Sequence, residues 1–214
     1  MDLAQAKKIM GKNFIGPKEL GAMRSKLGIA DPLKSRIPVI PFAEQTLKKY
    51  HNSAVLILGI EKFKNGRQMT INNMRLRFGI NPKKEPCFYN QDWYFKEEFA
   101  AKQNLKPQWY LIRKSVQSNT RGKDPNKIKK SVKRSHSFPS ALLAVFTFFA
   151  YYFHTKGEML WKHDFIWCSD TDNNRDQIYV GRYHDPKGLS KKGFNIHRHL
   201  RIRNNYGLAP AINQ

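Results

Sequence analysis

Two groups of residues have the types and spacing for chemistry. Asp164, Asp170, Asp172, Asp176 and Asp185 are five of only 16 acids, and they fall in one short stretch. Carboxylates gathered in a basic chain could hold a divalent metal such as Mg²⁺ or Mn²⁺ for phosphodiester cleavage, with Asp170, Asp172 and Asp176 as the catalytic candidates. The second group is His197 and His199. They stand two apart, on one face of a strand, and could share a metal with His184 or Asp185. Each group also has a plainer reading. Asp and Asn tolerate turn geometry, so Asp170 to Asp176 fits the turn of a hairpin. Its opening follows the spacing of a calcium loop, but Arg175 stands where that loop needs glycine and Gly181 where it needs glutamate. Among so many arginines, His197 and His199 read better as extra hydrogen-bond donors than as ligands. The plainer readings are preferred, and no cofactor is expected.

Other reactive groups are poorly placed. Cys168 lies in an apolar run and Cys87 beside a proline, and neither has the setting that activates a thiolate. No glycine-rich phosphate loop is present. Two cysteines make no disulfide framework, and Met-Asp-Leu-Ala-Gln-Ala-Lys-Lys at the start has no apolar signal core, so a reducing, cytoplasmic setting is expected.

Positive charge dominates. Lys and Arg number 39 against 16 Asp and Glu, a net charge of +23. Such a chain repels itself and suits a polyanion, nucleic acid first and an anionic membrane second. Asn195 to Arg203 reads as one strand, with Ile196, Leu200 and Ile202 on one side and His197, His199, Arg201 and Arg203 on the other; only Arg198 falls on the apolar side. Met74 to Phe78 repeats the pattern with Arg75 and Arg77. Between residues 113 and 134, Arg113, Lys114, Arg121, Lys123, Lys127, Lys129, Lys130, Lys133 and Arg134 face a single acid, Asp124. With no apolar period, residues 115–136 are expected to form a basic arm that orders on a polyanion. The candidate phosphate-binding residues are these cations other than Lys123, with Arg75, Arg77, Arg182, His197, His199, Arg201 and Arg203. Aromatic and basic residues interleave in Trp109–Lys114 and Tyr179–His184, which suits stacking on single strands or RNA.

These residues need a scaffold. Residues 2–11 predict a short helix. Gly16-Pro17 opens another that Gly28 closes, and Phe42 to Tyr50 predicts a third. The short N-terminal helices have no distinctive helix-turn-helix spacing. Ala54 to Ile60 is a continuous apolar run, expected as a buried central strand. Lys64-Asn65-Gly66 predicts a turn, with strands at Met69–Asn72 and Met74–Phe78 after it. Trp93 to Lys102 has helical spacing, and Trp109 to Arg113 reads as a strand. Residues 139–155 are apolar all round but too short to span a membrane, so they predict a core helix that Ser137 or Ser140 caps and Gly157 ends. Phe165–Cys168 and Ile178–Tyr183 predict a hairpin.

Pro107-Gln108-Trp109-Tyr110-Leu111-Ile112-Arg113-Lys114, the Pro139-Ser140-Ala141 helix start and the Ser169-Asp170-Thr171-Asp172 hairpin together resemble a family of uncharacterised bacterial proteins. The resemblance implies a bacterial or mobile-element origin and brings no activity and no site residues. The chain departs from that family in the basic runs 121–134 and 187–203. The expected fold is α+β: a mainly antiparallel sheet on the buried 139–155 helix, with short N-terminal helices. It forms one domain over 1–214, with a possible helical subdomain at 1–36. The expected function is nucleic-acid binding, to RNA or DNA and not to a membrane. A metal-dependent nuclease and a structural subunit of a ribonucleoprotein or phage particle, held with other proteins, are the alternatives.

Overall fold

A computed structural model describes residues 1–34, 36–183, 192–198 and 201–213. The N-terminal third opens with α1 (Leu3–Met10), capped by the Asp2 carboxylate, and reaches β1 (Phe14–Ile15). Helices α2 (Pro17–Ala22) and α3 (Arg24–Leu27) follow, so the predicted 17–27 helix is interrupted at Met23 and stops at left-handed Gly28. Helix α4 (Glu44–Tyr50) leads into β2 (Ala54–Leu58), which is buried along its whole length. The N-terminal helices share the main core rather than building their own. Ala6, Met10, Leu20 and Leu27 pack in one cluster with β2, and β1 pairs parallel with β2.

The predicted strands at 69–72 and 74–78 are instead α5 (Ile71–Phe78). Thr70 Oγ1 accepts the Asn73 N–H at 3.2 Å and Gly79 stops the helix. Ile71, Met74 and Phe78 recur at helical spacing, and five residues of apolar–arginine alternation fit either period. The Trp93–Lys102 helix is broken at Glu97 into a 3₁₀ turn, Trp93–Lys96, and α6 (Glu98–Ala101). Strand β3 (Trp109–Arg113) pairs antiparallel with β2, Ala54 opposite Arg113 and Leu58 opposite Trp109.

The expected arm is folded. After a 3₁₀ turn at Ser118–Thr120 comes α7 (Pro125–Ser131), then β4 (His136–Ser137). Helix α8 (Ala141–His154) has both predicted signals. Ser140 Oγ accepts the Leu143 N–H at 3.1 Å, and Gly157, with φ +123°, donates to the Tyr152 carbonyl just past its end. Strands β5 (Phe165–Thr171) and β6 (Gln177–Tyr183) form the expected hairpin, followed by β7 (Gly193–His197), β8 (Tyr206–Gly207) and β9 (Ala211–Ile212).

The fold is α+β with two mostly antiparallel sheets, ordered β1-β2-β3-β9-β4 and β7-β6-β5-β8. Helix α8 touches strands of both, which is why it is apolar all round. Its Phe146, Phe148 and Phe149 are buried with Ile166, Cys168, Ile178, Val180, Phe194 and Ile196 of the second sheet. Each large side chain so buried contributes about 1.5–3 kcal/mol. Strand alternation then turns Phe165, Trp167, Tyr179 and His197 to the opposite face of that sheet.

Candidate nucleic-acid interface

That opposite face is aromatic. Trp167 stands opposite Tyr179, and Tyr179 opposite His197, whose ring stacks on it at 5.7 Å between centroids. Phe165 stands opposite Tyr206 of β8, 5.3 Å away. Phe165, Trp167, Tyr179, Tyr206, Leu208 and Ile128 form a second, smaller core, with Val132, Phe138 and Ile202 packed on it. Trp167 Nε1 and both amide atoms of buried Asn195 have no hydrogen-bond partner among the described residues.

Helix α7 covers this face. Asp124 Oδ1 accepts the Asn126 N–H at 2.8 Å, and Pro125 takes the first helical position, where its missing N–H loses nothing. Ile128 and Val132, four apart, point into the aromatic cluster, which leaves Lys127, Lys129, Lys130 and Lys133 exposed. Lys129 donates to Gln177 Oε1 at 2.6 Å and lies over the Phe138 ring, so it is partly tied to β6. Ile202 enters the same cluster and leaves Arg201 and Arg203 exposed on either side. Gly122 donates to the Tyr206 carbonyl at 2.9 Å, so the start of α7 and the 201–206 stretch run together. Lys127, Lys130, Lys133, Arg134, Arg201 and Arg203 make no ion pair among the described residues. Asp124, the one acid of the segment, is spent on capping.

The other predicted cations do not join this surface. The strand expected over 195–203 ends at His197. Arg198, the cation on the apolar side, leaves the sheet and reaches Asp172 Oδ2 at 2.5 Å and Glu97 Oε1 at 3.6 Å, over the Trp93 ring. Arg182 is buried against Glu85. Arg75 is buried, donating to the Gln91 carbonyl at 3.1 Å, and Arg113 lies over the Tyr50 ring. Lys114 donates to Asn13 Oδ1 at 3.0 Å, and burial pushes its pKa down, helped by nearby Lys12. Arg121 forms a two-pronged pair with Asp164 at 2.7 and 2.8 Å. Arg77 lies on α5, away from α7, donating to the Ser25 and Lys26 carbonyls. His197 is not a cation at neutral pH, because burial lowers its pKa to about 4. His184, Asp185 and His199 lie outside the described residues.

The acids are used structurally. Asp170 is buried and accepts the Ala141 N–H at 2.5 Å, at the start of α8; burial raises its pKa. Asp172 accepts the backbone N–H groups of Asn174 and Asp176 at 2.9 and 2.8 Å. Burial alone would raise its pKa, but the bonds from Arg198 and those two amides hold it below the ordinary value. Asp170 and Asp172 are thus committed to the helix start and the hairpin turn. No group of three His, Cys, Asp or Glu side chains suited to a metal occurs among the described residues. Burial pushes the Cys87 thiol up to about 11, with Glu85 adding to the shift, and raises Cys168 as well.

Sequence reasoning found the lysines of α7 but not the helix. The missed signal is Asp124-Pro125 followed by Ile128 and Val132, a cap and a two-residue apolar stripe. It also missed a cleft of ≈ 930 Å³ between α3, the 62–68 turn and α5. No family model matches the sequence, neither curated proteins nor solved structures give a match, and the bacterial or mobile-element origin implied by the resemblance has no support among them.

Proposed function

We propose that this protein binds nucleic acid by its phosphate backbone, through the exposed face of α7 and the adjoining 201–203 stretch. One observation carries the reading: six exposed cations on adjoining segments have no carboxylate partner among the described residues, and the segments share one apolar anchor. Like charges held together on a folded surface are relieved when phosphates replace their counterions. Rigid placement favours binding further, since α7 need not be ordered at the moment of contact. The aromatic side chains beneath are buried by α7, so the surface grips phosphate rather than stacks on bases, and little sequence preference is expected. The setting we propose is cytoplasmic, where free buried thiols such as Cys87 and Cys168 persist.

The test is fluorescence anisotropy with single-stranded RNA, single-stranded DNA and duplex DNA over a salt series in EDTA. Binding should tighten as salt falls, with similar affinity across sequences. Lys127→Gln/Lys130→Gln/Lys133→Gln should weaken all ligands alike and flatten the duplex salt slope by roughly 2.7, about 0.9 per cation removed. An unchanged slope in that variant would remove α7 from the interface.

A further inference from the structure

We infer that the cleft between α3, the 62–68 turn and α5 is a second anion site, taking the phosphate chain of a nucleoside triphosphate or of a single nucleic-acid strand. Its lining brings together Arg24, Lys34, Lys64, Arg67 and Arg77, and Asp31 is its one carboxylate among the described residues. Asp31 is already committed, accepting from Arg24 Nη1 at 3.0 Å and from the Leu33 N–H at 3.1 Å. Positive charge in a concave wall is focused in a way that the same charge on a convex surface is not.

The segments that carry these cations are tied together by backbone bonds. Lys64 N–H donates to the Gly28 carbonyl at 2.8 Å, and Ile29 bridges to Phe63, so the turn is tied to the end of α3. Phe63 N–H donates to the Arg67 carbonyl at 2.8 Å, closing the turn that carries Lys64 and Arg67. Arg77 crosses from α5 to the same point, with Nη2 donating to the Ser25 and Lys26 carbonyls at 2.5 and 3.1 Å. A Cβ on Gly28, where φ is +72°, would fall 2.8 Å from Arg77 Nε, so glycine permits this approach. Arg77 Nη1 makes no hydrogen bond among the described residues and is left for a ligand. Leu76, 68% exposed, also lines the cleft and offers an apolar surface for a sugar or base beside the phosphates. The shared chemistry is a row of phosphates, met by planar guanidinium forks and mobile ammonium groups.

The cleft is separate from the α7 surface. Helix α5 packs against α8, with Phe78 stacked on Phe149 at 4.2 Å, whereas α7 lies on the far face of the second sheet. The inference therefore stands independently of the proposed nucleic-acid interface.

Calorimetric titration of the full chain at low salt with inorganic tripolyphosphate, a nucleoside triphosphate and a short single-stranded oligonucleotide tests it. Tripolyphosphate should bind, and Lys64→Gln/Arg67→Gln should weaken it about tenfold or more, the loss of one or two charge-assisted hydrogen bonds. Lys8→Gln/Lys106→Gln removes the same charge elsewhere and should leave tripolyphosphate binding unchanged. Tighter binding of the nucleoside triphosphate than of the oligonucleotide, lost in the cleft variant, would name the free nucleotide as the source; the reverse order would name the strand. No tripolyphosphate binding, or equal loss in the two variants, would overturn the site. A cleft variant with an unchanged melting temperature and unchanged duplex salt slope would show that this result is separate from the α7 surface.

Discussion

His197 shows how a residue type can mislead. By position it belongs to the basic run, yet it lies against Tyr179 and Phe165, and burial lowers its pKa to about 4 from an ordinary 6.5. The unfolded chain takes up the proton first as pH falls, so this residue's contribution to stability is full above pH 6.5 and lost between 6.5 and 4. The loss should be on the order of 2 kcal/mol. Melting temperature measured from pH 7 to pH 4.5 should fall more steeply for the wild type than for His197→Phe, and parallel curves would contradict the burial argument. Arg198 is the converse case, a cation that holds the fold. It is the partner of Asp172, whose side chain is fully buried, and it also reaches Glu97. Arg198→Gln should destabilise the protein by about 2 kcal/mol, because a buried carboxylate loses its cation and keeps only hydrogen bonds such as those from the Asn174 and Asp176 N–H groups. Urea titration reads this directly, and a loss below about 1 kcal/mol would mean the pair is solvated.

At the scale of elements, α7 decides whether lysines make a tail or a surface. Seven residues are too few for a stable isolated helix. What holds α7 is Ile128 and Val132 set into the aromatic cluster, with Asp124 closing the first turn. Ile128→Ala should cost about 2–4 kcal/mol and weaken nucleic-acid binding without removing a charge. Urea titration and anisotropy on the same variant check the two effects, and full binding by a destabilised variant would show that the lysines work without the helix. The segment was legible as a dense run of cations, but one apolar pair four residues apart is too little periodicity to announce a helix. At α5, Arg75 and Arg77 alternate with Met74, Leu76 and Phe78. Only the long-range bonds of those arginines show that they form no common face: Arg75 is held to Gln91, and Arg77 joins α5 to Ser25 and Lys26 at the cleft.

At the scale of the whole molecule, one core joins the N-terminal helices, both sheets and α8. Phe14 and Ile15 extend the first sheet along β2, and Leu20 and Leu27 enter the same cluster. Removing residues 1–30 should therefore leave the remainder unable to fold; circular dichroism and denaturant titration of the truncated chain test this. A cooperative transition in that chain would restore a separate N-terminal unit. The surplus charge is spread unevenly. Nine ion pairs among the described residues use eight of the cations, and most lie away from α7 and the 201–203 stretch.

By itself the sequence determined the α+β class, a buried helix over about 139–155 capped by Ser137 or Ser140, strands β2 and β3, the 165–183 hairpin and the excess of positive charge. These are local or compositional: an apolar run long enough to bury, a cap, a turn, a count of lysines. Only the tertiary structure decided which charges are free. Arg75, Arg182 and Arg198 are as basic in sequence as Lys127 or Arg203, but each meets a carbonyl or carboxylate many residues away. The cleft at Arg77 is assembled from three separate stretches. Pairing across such distances is set by packing rather than by neighbouring residues, which is why the sequence carries the amount of charge and the fold alone carries its placement.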